Sequence, residues 1–272
     1  MLATLIFRYL KNNYMNSYIR LHSSSLKKNR MVKQLNEKQS NYVNVLWTGG
    51  WDSTFRMIQA SREASIIQPY YIIDPDRPSS LKEIRQMQKI KNALKIKYPA
   101  SNIKEIENLV LDTIFIEKKY KLAHKNLLKK AFLGSQYIWF GKLSKQIKNL
   151  ELCIDRGSNA EFFVNLMLKE RNTNKYNNKN DLELLFGSLR FPLLNYTKLK
   201  MKEECIKTND LNILNMSWFC FNPINGTPCG LCNPCKYALE GGMQKRFSRR
   251  GILYSKAPIL FKAIRKLSKE FF

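Results

Sequence analysis

The run YVNVLWTGGWDSTF, residues 42–55, limits the possible folds more than any other stretch. Val43, Val45 and Trp47 alternate with Asn44 and Leu46 in a β-prone segment, which predicts a buried strand. Two glycines follow, and Phe55, Ile58 and Arg62 then recur at helical spacing, which predicts a helix from about Ser53 to Ala64. IIQPYYIID reads as a second strand and SSLKEIRQMQKIKNALKIKY as a second helix. Ser79 or Ser80 can cap that helix, Glu83 sits in its first turn, and its stripe runs through Leu81, Ile84, Met87 or Gln88, and Lys91 or Ala93. Strand, helix, strand, helix over residues 42–98 is a βαβα unit, so the expected class is α/β with a parallel, Rossmann-like sheet and right-handed crossovers.

Residues 110–170 read as mainly helical, with KKYKLAHKNLLKKAFL and SNAEFFVNLMLKE separated by a short candidate strand, LELCI. RNTNKYNNKND is a polar loop, and Thr197 caps a helix in KLKMKEECIKTND. Four regions are expected: a basic, flexible extension at 1–40, a sheet domain at 41–210, a small cysteine-bearing subdomain at 211–243, and a basic helical tail at 244–272. Within the tail, Ile259, Leu260, Ala263, Ile264 and Leu267 share one helical face. We expect that face to dock on the sheet domain rather than to anchor the chain to an anionic membrane.

The glycine pair carries the first chemistry. Glycines between strand and helix allow positive φ and close backbone approach, so several N–H groups can point at one spot. The helix N-terminus adds positive potential, and Ser53 and Thr54 add hydroxyls. Asp52 repels a phosphate unless a divalent cation lies between them, and Mg2+ suits that place. The stretch therefore reads as a pyrophosphate cradle with a metal-associated acid. No G-x-x-x-x-G-K-[ST] loop or G-x-G-x-x-G motif competes with it.

CFNPINGTPCGLCNPC carries the second. It sets Cys220, Cys229, Cys232 and Cys235 at C-x8-C-x2-C-x2-C. Four clustered thiols with Gly230 and Pro234 at the turns read as a closed structural Zn2+ site, with an iron–sulfur cluster as the rival. Clustering also argues against a disulfide framework and for a reducing, cytoplasmic setting. Cys153 and Cys205 stand apart and read as ordinary packed cysteines. The two histidines add little: His22 falls in the extension, and His124 reads as a surface residue of a basic helix.

WTGGWDST resembles the SGGxDS loop of the PP-loop ATP pyrophosphatases, with Thr48 in place of the first serine. That resemblance implies an ATP site in which Thr48, Gly49, Gly50, Asp52, Ser53 and Thr54 hold the phosphates and Asp74, closing YYIID, contacts the adenosine half. The loop taken together with the later cysteine spacing resembles the 7-cyano-7-deazaguanine synthase (QueC) family. FPLLNYTKLKMKEEC agrees, because that family places a Pro-Leu and then a Thr/Ser-Lys ahead of its cysteines. The likeness spans about residues 42–242 and makes Lys198 a candidate contact for phosphate or acyl-adenylate, beside Asp52 in the catalytic set. It implies a ligase that adenylates 7-carboxy-7-deazaguanine or a related carboxylate and uses ammonia to form an amide and then a nitrile. AMP and pyrophosphate are released, and ATP, Mg2+ and Zn2+ are required. The middle departs from the family: GSQYIWFGKLSK and CIDRGSNAEFF stand where its Pro-Gly-Arg-Asn-like segment belongs, with Arg156 a candidate anion contact and Asn159 a polar one.

Two other classes compete. A net charge of +26 favours a PP-loop enzyme acting on RNA, or a non-enzymatic zinc protein binding nucleic acid. Lysines scattered along the whole chain weaken both, so contact with nucleic acid or an anionic membrane is not favoured. The expected partners are the small carboxylate and ammonia, and a homodimer is left open.

Overall fold

A computed structural model of the protein describes residues 42–63, 65–172, 180–259 and 261. The chain divides into one unit of Ser40–Pro258 and another of Met1–Gln39 with Ile259–Phe272. The basic extension at 1–40 and most of the amphipathic face expected at 257–272 lie outside the described residues. Among the described residues no helix is long and apolar enough to cross a membrane.

The larger unit is α/β, built on a five-stranded sheet whose pairings are all parallel. The strands are β1 (Tyr42–Leu46), β2 (Ile66–Ile73), β3 (Asn102–Ile103), β4 (Glu107–Val110) and β5 (Leu150–Glu151). β1 lies between β2 and β5, while β3 and β4 share the far edge of β2. Arg190 extends the sheet beyond β5 through a parallel bridge to Glu151. From β1 the chain moves outward to β2 and then to β3 and β4, and it returns on the other side of β1 for β5. Strand order therefore reverses between β1 and β5, where open α/β sheets bind their ligands at the carboxyl ends of the strands.

Pro69 explains the split edge. Proline within a central strand removes a ladder donor. Trp47 N–H donates to Tyr70 O, and Lys104 N–H donates to Ile67 O, so odd residues of β2 face the β3–β4 edge. The missing N–H of Pro69 thus faces residues 104–106, the gap between the two short strands.

Helices cover both faces of the sheet. α1 (Trp51–Arg62) and α2 (Ser80–Lys97) pack with α7 (Lys198–Lys207) and α8 (Leu211–Leu214). α3 (Lys118–Leu128), α4 (Gln136–Ser144), α5 (Asn159–Arg171) and α6 (Asp181–Phe186) form the other group. Leu46, Leu150, Leu152, Phe163 and Phe186 join the core under that second group, with Tyr70 and Ile72 against it. The alternate β2 residues Ile67, Tyr71 and Ile73 are buried on the opposite face, where Tyr71 OH donates to Glu83 of α2 at 2.7 Å.

Three details differ from the sequence expectations. The buried face of α2 runs through Glu83, Met87, Ile90, Lys91 and Leu94, while Leu81 is 42% exposed. Tyr71, Ser79 and Arg77 satisfy the Glu83 carboxylate, which lets it displace an apolar stripe residue. Ser79 stands at the N-cap of α2 but spends its hydroxyl on Glu83 rather than on a backbone N–H. His124 is buried rather than superficial, and its Nε2 lies 3.0 Å from Leu133 O, tying α3 to the next loop.

Candidate functional site

The loop after β1 is shaped by two different glycine conformations. Gly49 has φ +67°, and a Cβ there would come within 2.9 Å of Met87 Cγ. Gly50 is extended, with φ −76°, and caps α1. Thr48 Oγ1 and Ser53 Oγ lie 3.3 Å apart, and Thr48 N–H donates to the Ser53 hydroxyl. Among the described residues the N–H groups of Gly49, Gly50, Trp51 and Ser53 meet no acceptor. They sit at the start of α1, where unsatisfied donors and the helix dipole favour an anion. Thr54 is placed differently. It is fully buried, and its hydroxyl accepts from Trp47 Nε1 at 3.3 Å, behind the loop.

Lys198 reaches this loop from the start of α7, where Thr197 caps the helix by accepting from Lys200 N–H. Its Nζ lies 2.6 Å from Asp52 Oδ1 and 3.2 Å from Asp155 Oδ2. Asp155 follows β5, so the carboxyl ends of β1 and β5 each supply one acid at the point where strand order reverses. Burial pushes the Asp52 carboxyl up; Lys198 pulls it back and Asp155 adds to the rise, leaving it above the ordinary aspartate range. Partial desolvation opposes the charge on Lys198, whose side chain stays 57% exposed, but Asp52 and Asp155 outweigh it and hold the ammonium above its ordinary range. Burial, then Asp155 and Asp52, also raise the Tyr137 phenol, so it remains a donor near the two acids.

Asp74 closes β2 on the same edge of the sheet. Its Oδ1 accepts from Asp76 N–H at 3.0 Å, a turn of its own making, and its carbonyl accepts from Ser80. Arg156 and Asn159 are exposed beside Asp155. The sequence reading named these two neighbours and missed Asp155. The expected strand LELCI runs up to Asp155, but the observed strand stops at Glu151 and leaves Asp155 in irregular chain, where no sequence signal marked it.

The four cysteines converge. Their sulfurs lie within 4.8 Å of one another, with Cys229 and Cys235 3.8 Å apart and Cys232 and Cys235 3.4 Å apart. A tetrahedral ion with bonds of about 2.3 Å needs sulfurs roughly 3.8 Å apart, so the donor set fits one such ion. Backbone N–H groups of Cys229 and Leu231 donate to the sulfurs of Cys220 and Cys229 at 3.2 and 3.3 Å. Cys232 caps α9 (Asn233–Glu240), which places Cys235 in its first turn, where the dipole favours thiolate. The four thiols share their protons: contacts among the sulfurs pull Cys229 and Cys232 below the ordinary thiol range and push Cys220 and Cys235 above it. These four residues could hold a metal ion such as zinc.

Gly230, with φ +74°, presses against the next helix, α10 (Arg249–Lys256): a Cβ would lie 1.9 Å from Gly251 O. A cleft of about 200 Å³ opens beside Cys229, lined by Ile224, Thr227, Pro228, Arg250 and Tyr254. None of its lining residues belongs to the glycine loop. Cys205 is fully buried and Cys153 half-buried, both apart from the cluster. No family model matches this chain, and no curated protein matches it.

Proposed function

We propose that the protein is an ATP-dependent ligase of the PP-loop class, of the 7-cyano-7-deazaguanine synthase type, which activates a small carboxylate by adenylation. One observation carries the reading. An acid and a lysine 146 positions apart in the sequence meet at 2.6 Å beside the unbonded N–H groups of a glycine loop. A phosphate cradle, a metal-associated acid and a mobile countercharge are what pyrophosphate departure requires. The polyphosphate would lie against the N–H groups of Gly49, Gly50 and Trp51, with the hydroxyls of Thr48 and Ser53 at its side. Asp52, with Asp155 near, would hold Mg2+, which screens charge on the leaving pyrophosphate when bound. Lys198 would exchange its carboxylate partners for phosphate oxygen. Asp74 would face the adenosine half.

The reaction needs no side-chain nucleophile. A carboxylate oxygen attacks the α-phosphorus of ATP as the bond to pyrophosphate breaks. Ammonia adds to the activated carbonyl and AMP leaves with its oxygen, giving the amide. A second ATP activates the amide oxygen, and loss of AMP and of the nitrogen protons gives the nitrile. The four cysteines would hold Zn2+ as a structural ion and take no part in these steps.

The test is 31P spectroscopy of the protein with ATP, Mg2+, ammonia and 7-carboxy-7-deazaguanine. AMP and pyrophosphate are expected, and steady ADP and phosphate would exclude the class. Asp52→Asn should lower kcat/KM about a hundredfold or more without unfolding the chain. The net charge of +26 favours a second reading, a PP-loop enzyme acting on RNA. Product formation on tRNA, but not on the free base, would select it.

A further inference from the structure

Trp218 lies between the two candidate centres and bonds toward both. Its backbone N–H donates to Gly49 O at 2.7 Å, and its indole Nε1–H donates to Cys220 O at 2.7 Å. The side chain is only 8% exposed, with Phe219 stacked beside it and Lys82 Nζ 5.1 Å from its ring. Gly49 is therefore held between Met87 of α2 and Trp218. Peptide bonds here are trans, so the Gly49 carbonyl and the Gly50 N–H point in opposite directions. Fixing that carbonyl on Trp218 fixes the direction in which Gly50 offers its donor. On the other side, Cys220 Sγ accepts from Cys229 N–H at 3.2 Å, so the residue that receives the indole bond is itself tied into the cysteine cluster.

We propose that Trp218 is a positioning residue through which the metal-bound cysteine centre sets the shape of the anion loop. Metal fixes Cys220, the Cys220 carbonyl fixes the indole, and the Trp218 N–H fixes Gly49. This gives the centre a task beyond local stability. The proposal rests on the reading of residues 48–53 as a phosphate cradle, and it names the residue that aims one of that cradle's donors.

Trp218→Phe removes the indole N–H while keeping a ring in place and the backbone donor in the chain. In the metal-loaded protein, amide exchange of the peptide spanning residues 47–55 should rise in Trp218→Phe with bound metal unchanged. Affinity for magnesium pyrophosphate, measured by calorimetry, should fall about three- to tenfold, the worth of one hydrogen bond. Removing the metal from wild type with a chelator should raise exchange in the same peptide. Unchanged exchange at residues 47–55 in the metal-loaded variant would overturn the proposal, whatever the ligand result. If wild type binds neither pyrophosphate nor ATP, the phosphate-cradle reading fails, and the exchange data still decide the role of Trp218.

Discussion

Asp52 sits where three influences of different sign meet, and each can be moved separately. Its folded carboxyl titrates above the ordinary 3.8 because burial and Asp155 outweigh Lys198. A group with a raised pKa gains its proton early as pH falls, so the acid limb of kcat/KM should lie above that of an ordinary aspartate. Lys198→Met removes the lowering influence and should move that limb to higher pH. Asp155→Asn removes a raising influence and should move it to lower pH. A pH profile of each variant checks the pair, and shifts of the same sign would disprove the assignment. Asp52 could be found in the sequence because it follows a glycine pair, and Lys198 because it follows a helix cap. Asp155 could not, since it lies in irregular chain after a two-residue strand, where neither period nor turn chemistry marks a position.

Among the elements, the turn between α7 and α8 is held by a buried acid with no role at the candidate site. Asp210 is fully buried and accepts from Lys97 Nζ at 2.7 Å, Tyr98 OH at 2.6 Å and Thr208 OH at 2.5 Å. Burial alone would raise its pKa, but the bonds from Lys97, Thr208 and Tyr98 hold it below 3.8. A lowered folded pKa means stability that is full above the unfolded value and lost as pH falls through the folded one. The loss therefore belongs to strongly acid solution, below the ordinary aspartate range. Asp210→Ala should cost about 2–4 kcal/mol in urea unfolding at neutral pH, less than a fully buried pair because Lys97 keeps access to water. The βαβα order and helix α7 were legible because apolar spacing records local structure. This network was not, because Lys97 and Asp210 are distant in sequence and belong to elements whose spacing says nothing of each other. The same limit hid Trp218, whose bond to Gly49 comes from the backbone and leaves no mark on residue type.

At the scale of the molecule, the cysteine centre and the sheet edge share a boundary, so loss of the metal should be felt beyond the cysteines. Elemental analysis is expected to find about one zinc per chain, and a brown protein would mean iron and sulfur instead. Cys232→Ser should lower the unfolding temperature and solubility, and in the protein that remains folded it should raise amide exchange at residues 47–55 as metal removal does. The sheet carries a different consequence, one of time. β1 pairs with β5 through Asn44 beside Leu150, so its second neighbour is about a hundred residues away. A ribosome adding about 5–20 residues per second needs on the order of 5–20 s to cover that distance. Through that interval the nascent chain holds an apolar strand with one edge unpaired, the glycine loop already made and its partner acid not yet synthesised. The wait follows from a strand order that leaves β1 for one side and comes back for the other, and it leaves an apolar edge open to mispairing until β5 arrives.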